Sequence, residues 1–107
     1  MSYQVKLTDT AKQDLKEIAL WLAEKSKDSK VAKEFVVELY AKCKTLDTFP
    51  DAGAFPRDRI LRSAGYRFIV HGDYLIFYLV EKETTTVTIM AIFNGKKDYM
   101  REMKKFI

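Results

Sequence analysis

Residues 66–93 read YRFIVHGDYLIFYLVEKETTTVTIMAIF, and the fold turns on how this stretch divides. Its middle, Tyr74 to Val80, is apolar without interruption, the pattern of a central strand covered on both faces. Tyr66 to His71 forms a strand before it, and Gly72-Asp73 is a tight turn of the kind hairpins use. Lys82 to Thr85 turns the chain into Thr86 to Phe93, which is rich in β-branched residues. Three strands joined by such short turns form an antiparallel meander.

Upstream of the meander, Asp47 to about Ala64 is punctuated by Pro50, Gly53 and Pro56 and reads as an irregular loop. Before it come two helices. Ala11, Leu15, Ile18 and Leu22 mark the buried face of a helix running to about Lys25. Thr8 and Thr10 are both possible caps for its start, and Thr10 with Gln13 fits a capping box. After a polar break at Lys25 to Asp28, a second helix begins near Ser29, with Ala32, Phe35, Val36, Leu39, Cys43 and Leu46 on its inner side. The short break makes the pair an antiparallel hairpin. Tyr3, Val5 and Leu7 alternate with polar residues as a half-buried strand, which must join the sheet beside one of the later three, an interior one. Downstream, Asn94-Gly95 ends the meander, and Tyr99, Met100, Met103 and Phe106 recur near helical spacing. The predicted fold is therefore α+β over a single domain of residues 1–107. It has an N-terminal strand, a helical hairpin, a three-stranded antiparallel meander completing one twisted sheet, and a short C-terminal helix.

Composition narrows the chemistry. A chain of 107 residues, 48% of them hydrophobic, builds one core without disulfides, and its lone cysteine, Cys43, reads as a small buried hydrophobe. One histidine and one cysteine exclude an ordinary zinc site, and four scattered glycines leave no phosphate-binding loop. His71 stands alone at a strand end, with no serine in a nucleophile context. No metal or cofactor is expected. Met1-Ser2-Tyr3-Gln4 shows no signal peptide and the longest apolar run is too short to span a bilayer, so a cytoplasmic protein without a membrane partner is expected.

The net charge of +4 is unevenly spread. Residues 1–50 nearly balance nine lysines against eight acids and contain no arginine. Residues 56–71 carry four arginines, Arg57, Arg59, Arg62 and Arg67, against Asp58. Residues 96–107 carry Lys96, Lys97, Arg101, Lys104 and Lys105 against Asp98 and Glu102. Two such patches in a small domain point to an anionic partner. On pattern alone, Arg67, Lys96 and Lys97 with Tyr99 nearby could line a cationic concavity for nucleic-acid phosphates or an acidic peptide, or could form a solvated basic edge that resists aggregation.

Four segments carry a resemblance. Tyr3-x-Val5-x-Leu7-Thr8 is followed by Ala11 and Asp14-Leu15, and later come Leu46 with Phe49-Pro50 to Gly53, then Gly72-Asp73-Tyr74-Leu75-Ile76-Phe77-Tyr78, then Ile92-Phe93-Asn94-Gly95-Lys96-Lys97-Asp98. In this order and spacing the chain resembles the RelE/ParE toxin superfamily, bacterial toxins paired with antitoxins that wrap them. The resemblance implies one of two activities. RelE-type members are ribosome-dependent ribonucleases that cut messenger RNA; ParE-type members poison DNA gyrase and catalyse no reaction.

Leu61 to Arg67 is similar to the RelE stretch that leads to a catalytic arginine, but strand counting sets a different register. In it the arginine position falls on Leu75 and one lysine position on Ile69, while Arg67 matches the other lysine, Lys97 a later arginine, and Tyr99 must replace a tyrosine expected near Met103. Apolar residues at two phosphate-binding positions favour the ParE-like reading: a non-catalytic gyrase inhibitor neutralised by an acidic, amphipathic antitoxin segment. Its target-binding residues would be Lys96, Lys97, Tyr99 and Arg101, with Arg67 supporting. The alternatives are a ribosome-dependent ribonuclease using Arg62, Arg67, Lys97 and Tyr99, and a non-toxic relative that only binds an antitoxin.

Overall fold

The computed structural model describes residues 2–107. Strand β1 (Gln4–Leu7) leads into helix α1 (Asp9–Ser26) and helix α2 (Ser29–Lys44), closed by a 3-10 turn at Thr45–Asp47. A short helix α3 (Arg59–Ser63) precedes β2 (Arg67–His71), β3 (Tyr74–Glu81) and β4 (Thr86–Asn94). Helix α4 (Tyr99–Met103) and a 3-10 turn at Lys104–Phe106 end the chain. The four strands form one sheet in the order β1-β4-β3-β2. The expected α+β architecture is present, and β1 lies parallel to β4, so that β4 becomes interior.

Capping chemistry sets the helix ends. Thr8, not Thr10, caps α1: its Oγ1 accepts from the Ala11 N–H at 3.0 Å. The same hydroxyl lies 3.1 Å from the Ile89 carbonyl and 3.2 Å from that of Met90, so one side chain starts the helix and ties it to β4. Thr10 is the second residue of the helix, which leaves no capping box with Gln13. The hairpin turn is only Lys27 and Asp28: Lys27 takes a left-handed φ of 58° and the Asp28 carboxylate accepts from the Lys30 N–H at 2.9 Å. The region predicted as irregular contains α3, whose five residues, Arg59-Ile60-Leu61-Arg62-Ser63, are too few to announce a helix by periodicity; Asp58 caps it by accepting from the Leu61 N–H at 3.0 Å.

The sheet has a packed layer on each face. The helical hairpin covers one face, where Ile18, Leu39, Cys43 and Leu46 meet Ile69, Ile76, Tyr78, Val87, Ile89 and Ile92. On the other, Leu61 of α3 and Met103 of α4 close over Tyr66, Phe77, Ala91 and Phe93. This two-sided cover accounts for the continuous apolar run of β3. In β4 the alternation breaks once: Phe77 pairs with Ala91 and Tyr78 with Ile89, leaving Met90 as the extra residue of a bulge. The bulge shifts the phase of β4, so Ile89 and Ile92 both face the hairpin while Met90 and Ala91 both face α4.

Candidate functional site

Strand β1 stops at Leu7, opposite Ile89, and β4 runs on to Asn94 with its outer edge uncovered by any strand. Side chains occupy part of that edge. Thr8 takes the Met90 carbonyl, and Asp14 of α1 accepts from the Ile92 N–H at 2.9 Å. Beyond them an open groove of about 600 Å³ runs between α1 and the C-terminal segment. Trp21 and Ile18 give it an apolar wall and β4 its floor, and its charged lining combines Lys96, Lys97 and Lys105 with Asp14, Glu17 and Glu102. Trp21 is half exposed and has the Lys25 ammonium 5.6 Å from its ring centre. Loss of hydration on burial pushes the Asp14 carboxyl above its ordinary range, against the lowering effects of the Ile92 N–H and of Lys105.

The sequence-predicted residues separate into distinct neighbourhoods. Lys96 and Lys97 lie on the turn after β4, where the Gly95 N–H reaches the Asp73 carbonyl at 2.7 Å. That is the end of the sheet where Asn94 pairs with Tyr74 and Tyr74 with His71. Arg67 sits at the opposite end of β2, paired with Tyr78, four residues or about 13 Å further along β3. The lysines and Arg67 therefore do not converge: an antiparallel meander puts the end of β4 beside the β2–β3 turn, and β3 separates β4 from β2. Tyr99 opens α4 and stacks on Phe77, ring centres 5.9 Å apart, while Arg101 is exposed on the same short helix. Lys97 faces Glu102 at 3.5 Å.

Two of the arginines are bound into the chain itself. The Arg67 guanidinium donates to the Gly53 carbonyl at 2.9 Å and the Asp51 carbonyl at 3.3 Å, and its other nitrogen is 3.6 Å from the Asp51 carboxylate. Arg62 donates from Nε to the Pro56 carbonyl at 3.1 Å. Leu75, partly buried, packs with the layer under α4, whereas Ile69 is buried beneath the helical hairpin, on the other face of the sheet. His71 packs beside Phe35, ring centres 5.6 Å apart. Burial pushes the Cys43 thiol up to about 12, which leaves it protonated and unreactive. Among the described residues no cluster of His, Cys, Asp or Glu could hold a metal ion, and no helix is long and apolar enough to cross a membrane.

A four-stranded sheet with a helical hairpin on one face, a short C-terminal helix on the other and a groove at the open edge of β4 defines a small α+β domain. Residues 5–99 match the family described as ParE toxin of type II toxin–antitoxin system, parDE, and the chain belongs to that family. No curated protein resembles it closely enough in sequence to count as a relative. Among solved structures, the fold is similar to a chain of the chromosomal ParDE toxin–antitoxin system from P. aeruginosa, with a TM-score of 0.70, 18% identity, and coverage of 87% of this chain and 96% of that one. It is similar to a chain of the toxin–antitoxin complex RelBE2 from Mycobacterium tuberculosis, with a TM-score of 0.67, 23% identity, and coverage of 88% and 92%. It also resembles a mutant of the E. coli toxin RelE in the free state, with a TM-score of 0.57 and 15% identity over the whole of both chains.

Proposed function

We propose that this protein is a ParE-like toxin that arrests growth by inhibiting DNA gyrase, catalyses no reaction, and is neutralised by a cognate antitoxin. The observation that carries this reading is the commitment of the cations that RNA cleavage would need. Arg62 and Arg67 hold loop carbonyls, Lys97 faces Glu102, and Leu75 and Ile69 are apolar and lie on opposite faces of the sheet. Stabilising the developing charge of a phosphate in cleavage requires several donors aimed at one point. A ribosome-dependent ribonuclease built from Arg62, Arg67, Lys97 and Tyr99 would have to break existing contacts to assemble such a point.

The antitoxin's place is the groove beside β4. Its apolar wall suits the apolar side of an amphipathic segment, its lysines can meet acids on that segment, and the unpaired edge beyond Ile92 suits an extended backbone. The test is a gyrase supercoiling assay with purified protein, with and without the product of a neighbouring short acidic reading frame. Inhibition that the second protein relieves supports the proposal. Folded toxin that leaves supercoiling intact but causes cutting of ribosome-bound messenger RNA would establish the ribonuclease instead, and folded toxin with neither effect would mark a relative that only binds an antitoxin.

A further inference from the structure

The segment between α2 and α3 is irregular in backbone yet fixed from several directions. The Tyr78 hydroxyl, brought up from the central strand, donates to the Pro50 carbonyl at 2.8 Å and accepts from the Gly53 N–H at 2.9 Å. Arg67 holds the carbonyls of Asp51 and Gly53 from one side, and Arg62 those of Pro56 and Arg57 from the other. Ala54 bridges to Phe68 through both of its backbone groups, and Pro56 is fully buried. Gly53 is pressed so closely that a Cβ there would meet the Tyr78 hydroxyl at 2.6 Å. Such clamping is what a loop needs if it is to present side chains in one arrangement before a partner arrives.

What it presents is apolar. Phe55 stands half exposed with the Arg67 guanidinium 4.1 Å from its ring centre, and Phe49 is more exposed still. Phe55 forms one wall of a slot of about 210 Å³ whose other walls are Phe68, Leu75, Phe77 and Tyr99, with Arg57 at the rim. The acids of this region are occupied: Asp51 faces Arg67, Asp58 caps α3, and Asp98 caps α4. Among the described residues Arg57, Arg59 and Arg101, all exposed, make no ion pair. The result is an aromatic slot with one guanidinium, that of Arg57, at its rim and free of any ion pair.

We infer that this slot, framed by the clamped loop and α4, is the surface through which the toxin grips its protein target, taking an aromatic or branched apolar side chain that is flanked by carboxylates. The inference rests on the toxin reading and names the chemistry of the partner that reading requires. Aromatic and arginine side chains around a preformed pocket are the usual anchors of a protein interface. A nucleobase fits less well, because among the lining side chains only Arg57 and Tyr99 carry polar atoms, too few to pair all the donors and acceptors of its edge. The slot is distinct from the groove beside β4: it is walled by the loop and by the α4 face of the sheet, whereas the groove is walled by α1. Target and antitoxin thus have separate primary contacts.

The test compares wild type with Phe55→Ser, Phe55→Trp and Arg57→Glu, and with Val37→Ser, an exposed apolar position on α2, as the control. Each variant's fold is checked by thermal melting, and each is read by growth arrest on induction and by inhibition of purified gyrase. Phe55→Ser and Arg57→Glu should weaken both effects by about tenfold or more, while Phe55→Trp retains them and Val37→Ser matches wild type. Folded Phe55→Ser and Arg57→Glu proteins as potent as wild type overturn the inference. A wild type that arrests growth without touching gyrase, with arrest relieved by Phe55→Ser, removes gyrase as the target and keeps the slot. A wild type with neither effect overturns both. Binding of a short fluorescein-labelled single-stranded oligonucleotide that disappears in Phe55→Ser would make the occupant a nucleic acid and overturn the protein assignment.

Discussion

Tyr78 shows how much a single polar atom can hold. Its ring is buried in the central strand, and its hydroxyl spans from Pro50 to Gly53. Removing that atom in Tyr78→Phe leaves a buried N–H and a carbonyl without their partner, at a cost of about 1–3 kcal/mol. The variant should melt earlier in urea or heat, and its exposed Phe55 should lose fixed geometry, read as narrowed aromatic chemical-shift dispersion. Asp14 makes a second residue-scale case. Its carboxyl is raised above the ordinary 3.8, chiefly by burial, with Glu17 and Glu102 adding to the rise and the Ile92 N–H and Lys105 opposing it. A raised acid binds more protons in the folded than in the unfolded chain. Its contribution is therefore favourable below pH 3.8 and is lost as pH climbs through the folded value. Asp14→Asn keeps an acceptor for Ile92 and removes the titration. The melting temperature of wild type minus that of the variant should fall across this acid window and stay flat above it; a difference that rises with pH would refute the burial account.

At the scale of elements, Thr8 couples α1 to the sheet. Its hydroxyl caps the helix and reaches the β4 carbonyls next to the bulge, so Thr8→Ala loosens two elements at once. The expected cost is about 1–2 kcal/mol, measurable as a lower urea midpoint with unchanged slope. Thr10→Ala, inside the helix, should cost far less and serves as the comparison. The sequence shows two threonines as possible caps, with only Thr10 offering a capping box with Gln13, and propensity does not separate them. Position does: only Thr8 lies where the chain leaves β1 beside Ile89, so tertiary placement chooses the cap. The same holds for α3, whose five residues are too short for periodicity to reveal and which depends on Leu61 being buried against the sheet.

At the scale of the molecule, basic charge is distributed between two faces with different surroundings. Lys96 and Lys97 rim the groove at one end of the sheet, whereas Arg57 borders the aromatic slot formed by the clamped loop and α4. Replacing both lysines by alanine removes charge from exposed side chains and one surface pair with Glu102, which contributes at most about 1 kcal/mol. With the groove serving the antitoxin, the double variant should melt close to wild type and keep gyrase inhibition while antitoxin affinity falls, as supercoiling assays and calorimetry would show separately; lost inhibition by folded protein would place these lysines at the target.

Strand and helix periodicity and the turns at Gly72-Asp73 and Asn94-Gly95 made the α+β architecture legible from the sequence by itself, because burial of apolar side chains imposes a period on the order of residues, while the ordered segments from Tyr3 to Asp98 carried the resemblance to the toxin family. The strand counting that puts Leu75 at a phosphate-binding position rests on the resemblance to the RelE branch. What pattern could not carry was anything set by contacts between distant residues. A bulge at Met90 reverses which β4 side chains face the hairpin, and strict alternation gives no sign of it. The separation of Arg67 from Lys96 and Lys97 follows from the direction of the meander, which the predicted turns already implied, whereas the place of β1 beside β4 was decided only by the folded sheet. The clamping of Arg62 and Arg67 onto a loop was equally hidden, since a guanidinium that binds carbonyls and one that waits for a partner are spelled alike, and only the folded chain brings the carbonyls within reach.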